Sequence, residues 1–137
     1  MTQAYQYLAL SGALTVLLWT PYIVARLFGW DLGSFLKNYA GNFPQESPQQ
    51  PLWATRAQRA HLNMVETMPA FIAVIVAASL FSGGTLATVN LWAAVFFYAR
   101  VAHAVVYIAG IPYLRTPVYL VSWFAILAIA YQALVQI

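Results

Sequence analysis

The sequence predicts an all-α integral membrane protein, a bundle of four transmembrane helices. Three observations carry that prediction. Of 137 residues, 63% are hydrophobic and 7% charged, and the mean hydropathy is +0.72. A soluble domain carries about 25% charged residues, so a globule of this size would lack the polar groups to cover its surface. The apolar residues also gather in four long stretches, each near the roughly 20 residues that cross a hydrocarbon core about 30 Å thick. Finally, the stretches are continuously apolar rather than alternating, which excludes a closed barrel. The same composition argues against a soluble enzyme, and against disorder, which needs low hydrophobicity and high charge.

The first span covers about residues 4–28. It lacks a basic leader and a small-residue cleavage pattern, so it is expected to be retained rather than removed as a signal peptide. The connection that follows, residues 29–53, is polar, with Asp31, Lys37, Glu46 and the run FPQESPQQP at 43–51. That proline spacing predicts an extended strap over the membrane face rather than a fifth helix. The second span covers about residues 54–81 and is fully apolar only after Pro69. A four-residue connection, SGGT at 82–85, predicts a tight helical hairpin into the third span, about residues 86–109. The short GIPYL segment at 110–114 leads into the fourth span, about residues 116–137. No internal repeat divides the chain, so residues 1–137 read as one bundle.

Charge sets orientation and excludes several functions. Arg26, Lys37, Arg56 and Arg59 lie in or beside the first loop and Arg115 at the third, with none in the second loop or at either terminus. Cytoplasmic loops hold such residues preferentially, which places loops one and three in the cytoplasm and both termini outside. Six Lys and Arg against three Asp and Glu give +3, too sparse for a nucleic-acid face. The absence of cysteine excludes disulfides, thiolate metal sites and a cysteine nucleophile. Two histidines and three carboxylates make a multi-ligand metal site unexpected as well.

Ionic residues within a span are costly, about 2.5–3.5 kcal/mol each at the centre, so each asks for a reason. Arg56, Arg59, Asn63 and Glu66 recur at intervals of 3, 4 and 3 and share a face of the second span. Arg100, His103 and Tyr107 do the same on the third. Glu66 and Arg100 stand about 17 residues either side of the hairpin turn, or roughly 25 Å at about 1.5 Å per residue, so the stripes coincide in depth. They predict a polar cavity open to the cytoplasm, with Glu66 and Arg100 as its inner charge pair. Plainer roles exist for each residue. Arg56 and Arg115 can snorkel as interface anchors, and His103 can be a hydrogen-bonded structural histidine. Asn63 can bond a neighbouring helix. Tyr107 can join an aromatic belt with Trp19, Tyr22, Trp30, Trp53 and Trp123, and Pro21 and Pro69 can simply kink their helices. A Glu66–Arg100 pair can also be purely structural. What these roles leave over is charge: Arg59, Arg100 and Arg115 against Glu66 alone, a surplus that suits an anionic ligand.

The string Arg59-Ala60-His61-Leu62-Asn63-Met64-Val65-Glu66-Thr67-Met68-Pro69 has the form R-A-x-x-N-x-x-E-x-x-P. It resembles the second-helix signature of the MAPEG family, the membrane-associated proteins in eicosanoid and glutathione metabolism. Arg100, His103 and Tyr107, followed by LRTPVY at 114–119, resemble the family's third- and fourth-helix pattern. The phrases around Trp53 to His61 and Gly110 to Thr116 resemble its short prokaryotic members. The resemblance implies a homotrimer in a bacterial inner membrane, with sites between subunits on the cytoplasmic side and glutathione as co-substrate. By position, Arg59, Asn63, Glu66, Arg100 and Tyr107 would hold the peptide, with His103 and Tyr119 beside it. Arg115 would stabilise the thiolate, since a cation beside a thiol lowers its pKa. Leu62 stands where some relatives carry a second arginine, which counts against their specialised isomerase activity. The implied function is a glutathione-dependent transferase or peroxidase acting on apolar electrophiles or lipid hydroperoxides from the bilayer. The alternatives are a non-catalytic lipid-binding or adaptor protein on the same scaffold, and a structural protein whose charges fix helix register.

Overall fold

The computed structural model describes residues 2–29, 32–36, 49–81 and 86–135, and every regular element among them is an α-helix. These are α1 (Thr2–Gly29), α2 (Leu32–Leu36), α3 (Leu52–Phe81), α4 (Leu86–Ala109) and α5 (Arg115–Leu134). All but α2 are long and apolar enough to cross a membrane. The short α2 corrects the reading of the first connection as wholly extended: the segment LGSFL lies ahead of the prolines and is free to make a turn. Residues 37–48, which hold most of the expected strap, lie outside the described residues, as do Trp30, Asp31, the 82–85 turn and positions 136–137.

Two of the long helices run through proline. Pro21 removes the N–H that would pair with the Leu17 carbonyl, and the Thr20 hydroxyl donates to that carbonyl instead. This is the local repair that lets a membrane helix tolerate proline. Pro69 lies within α3, where it removes the N–H that would pair with the Val65 carbonyl.

The central pair is α3 and α4. Helix α1 packs against both of them, α5 packs against both as well, most extensively against α4, and α1 and α5 do not meet. Lipid provides no hydrophobic drive between helices, so close backbone approach has to come from small side chains. The buried set matches that requirement: Ala54, Ala57, Ala60, Ala93, Ala104, Ala125, Ala133, Ser11 and Ser122. Larger side chains fill the space between them, as where Phe71 stacks on Phe96, with ring centroids 3.8 Å apart. Large apolar residues including Val16, Leu17, Phe28, Leu80 and Leu134 face outward, as a lipid-solvated surface should. At one end of the bundle, Asn90 Oδ1 of α4 accepts the Ala4 N–H, one of the donors the first turn of α1 leaves unpaired. At the other end, the up-and-down course gathers the last turn of α1, the start of α3 and the α4–α5 connection. Tyr22 belongs to that end and corrects its assignment to the aromatic belt. It is buried between α1 and α3, its hydroxyl 2.9 Å from His61 Nδ1.

Candidate functional site

At this second end a cleft of about 480 Å³ opens between the first turns of α3 and the segment from Val106 to Thr116. Its lining includes Arg56, Arg59, Tyr107 and Arg115. A smaller cavity of about 240 Å³ is lined by Asn63, His103, Tyr107, Arg115, Thr116 and Tyr119. Tyr107, Arg115 and Thr116 line both, so the two share a wall. Three guanidiniums therefore edge the larger space, and no carboxylate lines either one among the described residues.

Arg115 opens α5. A cation at a helix N-terminus opposes the macrodipole, and that first turn carries neither an acidic residue nor a side-chain cap. Helix stability therefore gives no reason for an arginine here. The positive end of the helix and the guanidinium face the same cavity and would act together on an anion. The guanidinium lies over the Tyr107 ring, 4.9 Å from its centroid, a cation–π contact that fixes its direction. His103 is buried with its ring against Tyr107 at 5.4 Å and Tyr119 at 5.7 Å, so the three aromatics form one wall. Asn63 bonds within its own helix, Nδ2 donating to the Arg59 carbonyl at 3.0 Å.

The expected inner pair does not form within the protomer. Arg100 is 1% exposed and is held by α3 without a carboxylate. Its Nε donates to Met64 Sδ at 3.2 Å and its Nη2 to Thr67 Oγ1 at 2.8 Å and to the Asn63 carbonyl. The ring of Tyr119 lies 5.4 Å away, and Nη1 has no hydrogen-bond partner. Glu66 is exposed instead. The reason is angular. Successive helical residues step about 100° around the axis, so when Asn63, Met64 and Thr67 face α4, Glu66 points about a quarter turn away. Neither Glu66 nor Arg100 lines the cavities. Arg59, Asn63, His103, Tyr107, Arg115 and Tyr119 are brought together.

Two contributors escaped the sequence reading. Thr67 and Met64 are the side chains that hold Arg100, and their spacing of four and one from Asn63 was the available signal. Arg56, read as an interface anchor or a stripe member, lies on the cleft wall with its guanidinium against Gly110. Among the described residues no cluster of three potential metal ligands occurs.

Four apolar crossings surrounding a buried cation, with a cation-edged cleft at one end, define a polytopic helical membrane protein. A family model of the MAPEG family matches residues 6–135, nearly the whole chain, and the chain belongs to that family. Comparison with curated proteins and with solved structures gave no match.

Proposed function

We propose that the protein is a membrane-bound, glutathione-dependent transferase or peroxidase acting on apolar electrophiles or lipid hydroperoxides drawn from the bilayer. One observation carries this reading: Arg59 and Arg115 line a single cleft that no acid lines among the described residues. Glutathione has two carboxylates and an ionisable thiol, so its charges suit that donor set. Arg59 would hold a carboxylate, and Asn63, Tyr107 and Tyr119 would supply hydrogen bonds along the peptide. Arg115 would face the sulfur and hold it ionised. When bound, the thiol supplies the nucleophile, so the protein needs none of its own, consistent with a chain that has no cysteine.

Family membership supports the membrane setting of this reading, and the basic residues beside the first and third connections support its orientation. The site would lie at the cytoplasmic face of a bacterial inner membrane, between subunits of a homotrimer. A second protomer would cover Glu66, which is exposed on one chain within a membrane span, where a bare carboxylate is costly. It would also make Glu66 available to the ligand's ammonium. Adding glutathione to the purified protein in detergent should produce saturable binding and the ultraviolet difference absorbance of a thiolate. Binding without thiolate would remove the catalytic reading. Stabilisation by lipids with no response to glutathione would favour the non-catalytic lipid-binding alternative.

A further inference from the structure

We infer that Arg56 is a positioning residue: its guanidinium, laid over Gly110 at the end of α4, holds the connection that delivers Arg115 to the cleft. Helix α4 ends in a Schellman arrangement, with the Ile111 N–H bonded to the Val106 carbonyl and the Gly110 N–H to the Tyr107 carbonyl, each at 3.1 Å. Gly110 adopts φ +72, which a residue with a side chain takes at a cost. The glycine is needed for a second reason. A Cβ at this position would overlap Cζ and Nη1 of Arg56, so the guanidinium rests on the bare backbone.

That seat suits a cation. The last carbonyls of a helix carry the negative end of its dipole, and a basic side chain there is stabilising. Here the cation comes from α3, so the contact ties the first turns of α3 to the end of α4. Among the described residues Arg56 has no hydrogen bond or carboxylate competing for it. Beyond Gly110 the chain is under strain. Tyr113 has φ +66, and the Leu114 N–H bonds the Pro112 carbonyl at 2.8 Å, closing a γ-turn. Tyr113 is 92% exposed, so packing of its own side chain does not hold this conformation. It must be held from its ends. One end is the start of α5, where the Val118 N–H bonds the Leu114 carbonyl at 3.2 Å. The other is Gly110 under Arg56. With Arg115 only five positions beyond Gly110, a shift at the glycine carries through to the guanidinium that faces the ligand.

Two variants separate this role from that of a direct anion ligand or an interface anchor. Arg56→Gln removes the cation. Gly110→Asn keeps it but displaces it, because asparagine tolerates the left-handed backbone while its Cβ occupies the seat. Amide hydrogen exchange on the full-length protein in detergent, without ligand, should show Gly110 and Ile111 exchanging about 3- to 30-fold faster in each variant, the scale of a cation at a helix C-terminus. The double variant should be no faster than the quicker single one, and Arg56→Lys should fall between wild type and Arg56→Gln. Unchanged exchange, or effects that multiply in the double variant, would overturn the inference. Its consequence for Arg115 rests on the proposed glutathione reading and has its own readout. Both variants should lose bound thiolate absorbance while glutathione affinity stays within about threefold of wild type. A loss of affinity in Arg56→Gln alone would instead make Arg56 a direct ligand. If wild type shows no thiolate, the glutathione reading fails, and the exchange data still decide whether Arg56 holds the turn.

Discussion

Arg100 is a buried cation that forms no ion pair among the described residues, and its neighbours explain how α3 and α4 tolerate it. A guanidinium has five N–H donors in a fixed plane, and α3 answers with a carbonyl, a hydroxyl and a thioether. The Thr67 hydroxyl is the pivot, since it also donates to the Asn63 and Met64 carbonyls at 3.0 Å each. Thr67→Val keeps the shape but leaves the buried cation one acceptor short. We expect a loss of about 1–3 kcal/mol, read as a lower melting temperature in detergent, whereas Thr67→Ser should stay near wild type. Arg115 should behave in the opposite way. It is exposed and, among the described residues, held by a ring contact without a hydrogen bond, so Arg115→Ala should leave melting unchanged and glutathione binding largely intact. Conjugation should fall by about 100-fold or more, the scale of removing one preorganised charge stabiliser; unchanged turnover would reject that role. At this scale the sequence named Arg59, Asn63, His103, Tyr107, Arg115 and Tyr119, which line the two cavities, because polar groups stand out against an apolar background. It could not fix their directions. The intervals that put Glu66 on the Arg59 face also admit a quarter-turn offset from Thr67, and only packing against α4 decides which side chains reach Arg100.

The long helices were legible for a thermodynamic reason: a membrane leaves no other fold for a continuous apolar chain of this length. Their joints were less so. Helix α2 has five residues, too few for any periodicity to show. The left-handed turn at Tyr113 carries no glycine to announce it. Tyr22 looked like a belt residue because its position is interfacial, yet His61 lies opposite and draws it inward. Asn90 is a joint of the same kind, holding the start of α1 from α4 across a sequence gap of 86 residues. Asn90→Leu suits the lipid but removes the acceptor from the Ala4 N–H. We expect a loss of about 0.5–2 kcal/mol, the usual worth of an N-terminal cap. Faster amide exchange should be confined to the first turn of α1, while the rest of that helix keeps wild-type protection. If exchange rises along all of α1, the bond holds the whole helix rather than its end.

On the scale of the whole molecule, the distribution of charge is simple. Arg26, Arg56, Arg59 and Arg115 gather at the end of the bundle where the cleft opens, while the end marked by Ala4 and Asn90 has no basic residue among those described. Such an asymmetry would orient the protein with its basic end in the cytoplasm. It would also place the cleft where a cytoplasmic thiol peptide can enter. The chain has no cysteine, so single cysteines report orientation without background. Thr2→Cys and Tyr113→Cys occupy exposed positions at opposite ends. In sealed right-side-out vesicles a membrane-impermeant maleimide should label Thr2→Cys and spare Tyr113→Cys, and inverted vesicles should reverse the pattern. The reciprocal result would put the cleft outside the cell and deprive the glutathione reading of its ligand supply. Labelling of both positions from one side would contradict the three crossings that separate them. The same preparations, released into detergent, should give a trimer by native mass spectrometry. A monomer there would leave Glu66 bare and return its role to the single chain.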